Sequence, residues 1–386
     1  MYKLKGKRIL SLCLAFIFTV FTFSFNVSVS ALSAEEITAP SAVLIEPTTK
    51  KVLFEKNPHD SRACASITKV MTLILVFEAI EDGKINYEDI VTTSAHASSM
   101  GGSDIWLEPG EEMSVYDMIK AVVVASANDA AVALAELVSG SEDAFVEKMN
   151  ERAKELGMNN TVFKNCNGLD EEGHLTTAYD VALMSAELIK HEKIFEFSSI
   201  WLDYLRDGET QIVNTNKLLK SYSGITGLKT GTTGQAGSCM SATATRNGLS
   251  LVAVVLGCDT GTARFSDAAK LLDFGFANYK IESIVTPENL PEKLKVKKGM
   301  LSEVELACDV KPEVLLPKGN SKGLTADFEI KDELEAPVVK GEVVGNLTYT
   351  YDSEVVARYN IVTKNEIQPM SFGAIWKLLW QKMISL

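Results

Sequence analysis

Hydrophobic and polar positions change period along this chain, and each change predicts a different kind of element. Residues 41–46 (Ser-Ala-Val-Leu-Ile-Glu) and 51–55 (Lys-Val-Leu-Phe-Glu) are short apolar runs around the turn Pro47-Thr48-Thr49-Lys50, which predicts a β-hairpin. Residues 70–80 are apolar at helical length and are stopped by Gly83; Ser66-Ile67-Thr68-Lys69 opens that helix, with Ser66 at the N-cap or in the first turn. After a glycine-rich loop at 101–110, Ser114-Val115-Tyr116-Asp117 is a capping-box-like start for a helix running to about Val124. Ser126-Ala127-Asn128 breaks it, and Asn128-Asp129 caps an alanine-rich helix that ends near Gly140. Ser141 starts a third helix over 142–156, closed by Gly157, and a fourth pattern covers 178–191.

The period then shortens. Residues 227–233 lead into 238–245 and, across Arg246-Asn247-Gly248, into 249–256; Asn-Gly between apolar segments marks a hairpin. Residues 264–278 read as a closing helix. The expected fold is α+β: an antiparallel sheet flanked by helices, with a helical cluster inserted mid-chain. Beyond about residue 281 the helical period vanishes. Runs at 303–308, 313–316, 326–330, 341–347 and 355–362 alternate with Pro, Gly, Asn and Asp turns, which predicts a small all-β domain to about residue 366. Residues 367–386 end in an amphipathic helix. Phe372, Ile375, Trp376, Leu379, Met383 and Leu386 recur at helical spacing, with Lys377, Gln381, Lys382 and Ser385 mostly opposite. At roughly 25 Å it is short for a span, and its tryptophans and lysines suit a membrane interface.

Composition narrows the classes. Residues 1–34 read as an export signal, with Lys3–Arg8 as the charged region, an apolar stretch at 9–25, and small residues for cleavage after Ala31 or Ala34. Lys3, Lys5, Lys7 and Arg8 are its only charges, so losing it deepens the net charge from −13 to −17. Such an acidic body argues against nucleic acid as a partner. Cys13 leaves with the signal; Cys64, Cys166, Cys239, Cys258 and Cys308 are odd in number and widely spaced, unlike a disulfide framework. Cys64, two residues before Ser66, reads as a reactive thiol or as a small packed hydrophobe. His59, His96, His174 and His191 have no zinc-ligand spacing, so neither a metal nor another cofactor is expected.

The candidate chemistry starts at Ser66 and Lys69. Three residues apart on one helix face, they would set a hydroxyl beside an amine at the positive end of a helix dipole. Taken alone, this pattern reads as a serine cap followed by an ordinary surface lysine. Two further motifs follow in order, Ser126-Ala127-Asn128 and Lys229-Thr230-Gly231, on an inter-helix turn and a strand. S-x-x-K, S-D-N and K-T-G in this order are the signature of penicillin-binding proteins and class A β-lactamases, and here the middle motif is Ser-Ala-Asn.

Longer stretches carry the likeness further. Ala65–Thr72, Ala125–Ala131, Gly168-Leu169-Asp170 with Gly173-His174, Gly227–Gly231 and residues 271–276 resemble the low-molecular-mass D-alanyl-D-alanine carboxypeptidases, from about residue 38 onward. The resemblance implies a DD-peptidase/β-lactamase-like catalytic domain over 35–280. It also implies a serine peptidase that trims the terminal D-alanine from peptidoglycan stem pentapeptides outside the cytoplasmic membrane and is acylated by β-lactams.

Roles follow from residue type. Ser66 attacks the scissile carbonyl. Lys69 is the general base if it is neutral, with burial, the helix N-terminus and, as a main reason, Lys229 lowering its pKa. Ser126 relays a proton; Asn128 holds Lys69 and the substrate amide. Lys229 and Thr230 meet the terminal carboxylate, and Gly231 lets the substrate backbone approach. The backbone N–H groups of Ser66 and Thr232 form the oxyanion hole, worth about 3–4 kcal/mol per donor. Arg264 either adds positive charge or is a surface residue at a helix start. Three other outcomes stay open: a β-lactamase, for which Glu155 in Glu155-Leu156-Gly157-Met158-Asn159 loosely fits a deacylating base, a non-catalytic wall-binding homologue on the same fold, and a peptidoglycan transpeptidase, since water and an amine compete for one acyl-enzyme.

Overall fold

The computed structural model describes residues 31–284, 286–310, 312–319 and 323–384. The export signal expected over 1–34 lies, up to residue 30, outside the described residues. A five-stranded antiparallel sheet organises the first 280 residues. Its strands are β1 (Ser41–Glu46), β2 (Lys51–Lys56), β7 (Ile225–Thr233), β8 (Gly237–Arg246) and β9 (Leu249–Cys258), in the order β2-β1-β9-β8-β7. Strand alternation sorts their side chains between two cores. Val43 and Ile45 of β1 and Val252, Val254 and Leu256 of β9 face the helical cluster. Ala42, Leu44, Leu251, Ala253 and Val255 face the other way, onto α6 (Gly261–Asn278). β7 ends this order and is therefore an edge strand.

That cluster comprises α1 (Lys69–Glu81), α2 (Val115–Lys120), α3 (Asn128–Ser139), α4 (Glu142–Glu155) and α5 (Ala178–Leu188). Ser141 and Thr177 accept hydrogen bonds from the backbone N–H of Ala144 and Asp180, the capping that fixes the starts of α4 and α5. α1 is buried on most of its circumference, as a helix central to a cluster must be. Arg152 ties the cluster's base together, reaching Glu78 of α1 and Glu187 of α5 at 2.8 and 2.9 Å.

Several expectations are adjusted. Ser66 takes the first-turn position, not the N-cap: a 3₁₀ turn, Ala65–Thr68, runs directly into α1. The helix expected from Ser114 to Val124 is α-helical only to Lys120, and Ala121–Ala125 widens into a π turn. The uniformly apolar Ala121–Ala125 gives no local signal of that change. The closing helix begins three residues early, at Gly261, because Thr260 caps it. Two ribbons escaped the pattern: β3 (Ile90–Thr92) with β4 (Glu112–Ser114), and β5 (Leu202–Leu205) with β6 (Thr210–Val213).

Beyond α6 the chain is all β until the terminal helix. β10 (Tyr279–Ser283) pairs with β13 (Glu313–Pro317). The strands β11 (Lys293–Lys297), β12 (Glu303–Cys308), β14 (Leu324–Ile330), β15 (Glu333–Glu335), β16 (Val343–Tyr351) and β17 (Glu354–Thr363) form a six-stranded sheet. β13 is shared by two cores: Leu315 packs beneath α6, while Val314 and Leu316 enter the β core. Phe372–Ile384 forms α7, with Phe372 84%, Trp376 61%, Trp380 56% and Met383 71% exposed. Its described apolar side chains are not docked on the β sheet. No helix among the described residues is long and apolar enough to cross a membrane.

Candidate active site

The turn that carries Ser66 is shaped by close backbone packing. A Cβ on Gly168 would lie 2.0 Å from the carbonyl oxygen of Ala65, and one on Gly231 2.6 Å from that of Cys64. Two bare backbones thus clasp the chain just before Ser66, one from the 165–174 loop and one from β7. Ala65 itself has φ +52°, and Ser126 has φ +64°. Each left-handed non-glycine residue costs roughly 1 kcal/mol or more, a strain that concentrates where a side chain must be aimed. At Ser126 the π turn ends, and the left-handed step turns the hydroxyl toward β7.

Lys69 is fully buried, yet its amine is well placed. Nζ lies 2.5 Å from Oδ1 of Asn128, 2.6 Å from the carbonyl oxygen of Asn167 and 3.1 Å from Oγ of Ser66. Asn128 is oriented by donating Nδ2–H to the Gly101 carbonyl at 2.6 Å, so its oxygen must face Lys69. A neutral amine has two N–H donors and one lone pair. The two carbonyl acceptors take both donors, which leaves the lone pair facing the half-buried Ser66 hydroxyl.

Burial lowers the pKa of Lys69 from 10.5 to about 7; Cys166, Asp104 and Asp129 pull it back up. This corrects the sequence expectation that Lys229 would be a main reason. Burial leads, because Lys69 has no exposed surface, and the repulsion between the two amines falls on Lys229. Lys229 sits well below the usual lysine range through its own burial, then Lys69, then Arg264. Its Nζ donates to Ser126 Oγ at 2.7 Å and to the Thr230 carbonyl at 3.1 Å.

All three motifs therefore converge on one cleft beside β7. Arg264 is neither a surface residue nor a free charge. Its guanidinium donates to the Gly231 carbonyl at 2.9 Å and to Thr232 Oγ1 at 2.6 Å, bracing the exposed end of β7. Cys64 is fully buried with its thiol pushed up to about 12, which favours the packing reading over a reactive thiol. Glu155 is exposed and paired with Arg152 at 3.1 Å, a last-turn surface residue rather than a deacylating base. His174 accepts the Lys164 N–H at Nδ1, so Nε2 carries the proton and donates to Thr68 at 2.8 Å; burial lowers its pKa to about 4. It is a neutral strut. No group of three metal-ligating side chains occurs among the described residues.

Sequence reasoning assigned no role to three contributors. The Asn167 carbonyl is a backbone group and carries no side-chain signal. Asp170 accepts from Thr233 Oγ1 at 2.6 Å, closing the 165–174 loop onto the end of β7. Thr215 accepts the Thr230 hydroxyl at 2.6 Å.

A serine hydroxyl facing a buried lysine amine, a second serine–lysine pair and an open strand edge define an acyl-transferring serine hydrolase of the penicillin-recognising kind. The sequence matches the D-alanyl-D-alanine carboxypeptidase family over residues 28–260 and the penicillin-binding protein 5 C-terminal domain over 279–369. The chain belongs to the D-alanyl-D-alanine carboxypeptidase family, and it is a serine-type enzyme of that activity. It is 45% identical over 338 residues to D-alanyl-D-alanine carboxypeptidase DacF of Bacillus subtilis, covering 86% of this chain and 87% of that protein. Penicillin binding protein 5 from Haemophilus influenzae superposes with TM-score 0.74 at 32% identity, covering 88% of this chain and all (100%) of the other. Penicillin-binding protein D2 from Listeria monocytogenes in its ampicillin-bound form matches at TM-score 0.57 and 32% identity, over 62% of this chain and 98% of the other. The α+β fold with a terminal all-β domain agrees with the Haemophilus influenzae protein and the matched C-terminal domain, and neither the β-lactamase nor the non-catalytic alternative is favoured.

Proposed function

We propose that residues 35–280 form the catalytic domain, 281–366 a β-rich domain and 367–386 a membrane-associating helix, with 1–34 removed on export. The enzyme then works on the extracytoplasmic face of the bacterial membrane, on peptidoglycan stem peptides. The observation that carries the mechanism is the threefold environment of Lys69 Nζ. With both N–H groups engaged by Asn128 and Asn167, its lone pair takes the Ser66 proton. Ser66 Oγ attacks the penultimate D-alanine carbonyl while the backbone N–H groups of Ser66 and Thr232 hold the oxyanion. Ser126, held by Lys229, passes a proton to the leaving amine. Lys229 and Thr230 receive the terminal carboxylate, and the substrate lies along β7, where Gly231 offers no side chain. Water then releases the acyl-enzyme; a β-lactam enters the same way and stays. D-alanine release from diacetyl-Lys-D-Ala-D-Ala is the expected result. Rapid benzylpenicillin turnover without D-alanine release would count against this reading.

The exposed aromatic side chains of α7 support an interfacial anchor. Thirteen residues make a helix of about 20 Å, short of a roughly 30 Å hydrocarbon core. Deleting residues 370–386 is expected to move the protein from the membrane to the soluble fraction with D-alanine release unchanged. An unaltered distribution in fractionated cells would rule out this anchor.

A further inference from the structure

Thr230 is 4% exposed, and its hydroxyl proton is already committed, donated to Thr215 Oγ1 at 2.6 Å. Thr215 is held in place from both sides. Asn214 donates through its backbone N–H to the Trp201 carbonyl and through Nδ2 to the Ile200 carbonyl, both at 2.8 Å. Its Oδ1 accepts the Asn216 N–H at 2.8 Å, and Asn216 Oδ1 accepts the Leu218 N–H at 3.0 Å. Two successive asparagine turns therefore fix one half-buried threonine against the strand that carries the Lys-Thr-Gly motif. Nothing in the backbone of 214–218 requires a hydroxyl at 215. The proton of Thr215 has no acceptor among the described residues, so the pair can invert: Thr215 becomes donor, Thr230 acceptor, and the Thr230 proton is freed to point elsewhere.

We propose that Thr215 is a positioning residue for the substrate's terminal carboxylate, acting by reversing its hydrogen bond with Thr230. The inference rests on the reading that Thr230 meets that carboxylate. When the carboxylate arrives, Thr230 donates to it, and Thr215 donates to the Thr230 oxygen. No bond to carbon changes; two hydroxyl rotors turn. Polarised by a second donor, the Thr230 hydroxyl binds an anion better than it would alone. A neutral carboxamide in the same position gains less, because hydrogen bonds to a charged acceptor are about twice as strong. Thr215 thereby contributes to the preference for a free C-terminus, without touching substrate.

The test compares diacetyl-Lys-D-Ala-D-Ala with the same peptide ending in D-alaninamide, using wild type, Thr215→Val, Thr215→Ser and Thr230→Val. Thr215→Val is expected to lower kcat/KM for the acid roughly tenfold, mainly through KM, and to leave the amide within about twofold. Thr215→Ser should restore the acid-to-amide ratio. Equal losses on both peptides would mean that Thr215 is only structural, and unchanged kinetics would remove it from recognition; either result overturns the proposal. If Thr230→Val erodes the acid-to-amide ratio and Thr215→Val does not, the carboxylate reading stands and this inference alone fails. If Thr230→Val leaves the ratio intact, both fall. Thermal melting of Thr215→Val close to that of wild type shows that the comparison is between folded proteins.

Discussion

Lys69→Met is expected to reduce D-alanine release on the order of 10⁴-fold, the upper range for a positioned acid–base group. The same change should alter stability in a pH-dependent way, and the sign follows from the protonation of each state. In the folded protein Lys69 titrates near 7, against 10.5 for an ordinary lysine. Below about 7 both states carry the proton and the folded state bears the full penalty of a buried cation. Between the two values the unfolded chain holds the extra proton, so wild-type stability rises with pH across that window. Methionine removes this term. It also strands the Asn128 and Asn167 oxygens, at about 1–3 kcal/mol for each unsatisfied acceptor. The stability of Lys69→Met relative to wild type should therefore fall as pH is raised from about 7 toward 10.5. Denaturant titrations at several pH values measure this, and a difference flat in pH would reject the neutral-base assignment. Acylation by the wild type should rise through pH 7 as the lone pair becomes available.

Ser66→Ala is expected to abolish covalent labelling by benzylpenicillin and to cut D-alanine release on the order of 10⁶-fold, as loss of a nucleophile does in other serine peptidases. Little else should change. Ser66 is half-buried, and Lys69 is the one side-chain partner of its hydroxyl among the described residues. Peptide mapping of the wild-type adduct should place the penicilloyl mass on the peptide containing Ser66. Labelling that persists in the alanine variant would assign the nucleophile elsewhere. Ser126, 3% exposed and held by Lys229, is the residue to examine next.

Much of this architecture was legible because local chemistry and tertiary role coincide. The hairpin at 41–56 and the Asn247-Gly248 turn announce themselves through short apolar runs and turn residues. The three motifs are contiguous, so their members stay together however the chain folds. What escaped is non-local or carried by backbone. Asn167 reaches Lys69 across 98 residues through a carbonyl that any residue could supply. Asp170 meets Thr233 at a separation of 63, and Thr215 meets Thr230 at 15, through short polar side chains that also suit ordinary loops. The cause of the Lys69 shift was misjudged for a related reason: sequence order shows that two lysines share a site, but not which is the more deeply desolvated. The β5–β6 ribbon was invisible because Leu202 and Tyr204 are apolar yet exposed, so the apolar positions of Leu202–Leu205 do not mark its buried face.

The open edge of β7 also bears on solubility. An unpaired strand edge is a template for any extended chain, and proteins normally blunt such edges to prevent self-association. The proposed substrate path requires this one to stay receptive. Here five consecutive residues, Gly227 to Gly231, are buried under neighbouring elements, Arg264 occupies the Gly231 carbonyl, and Thr232 alone is exposed. That burial leaves little of the edge exposed for the rim of another folded sheet to pair with. The burial that guards this edge against aggregation is thus the same burial that lines the proposed substrate path.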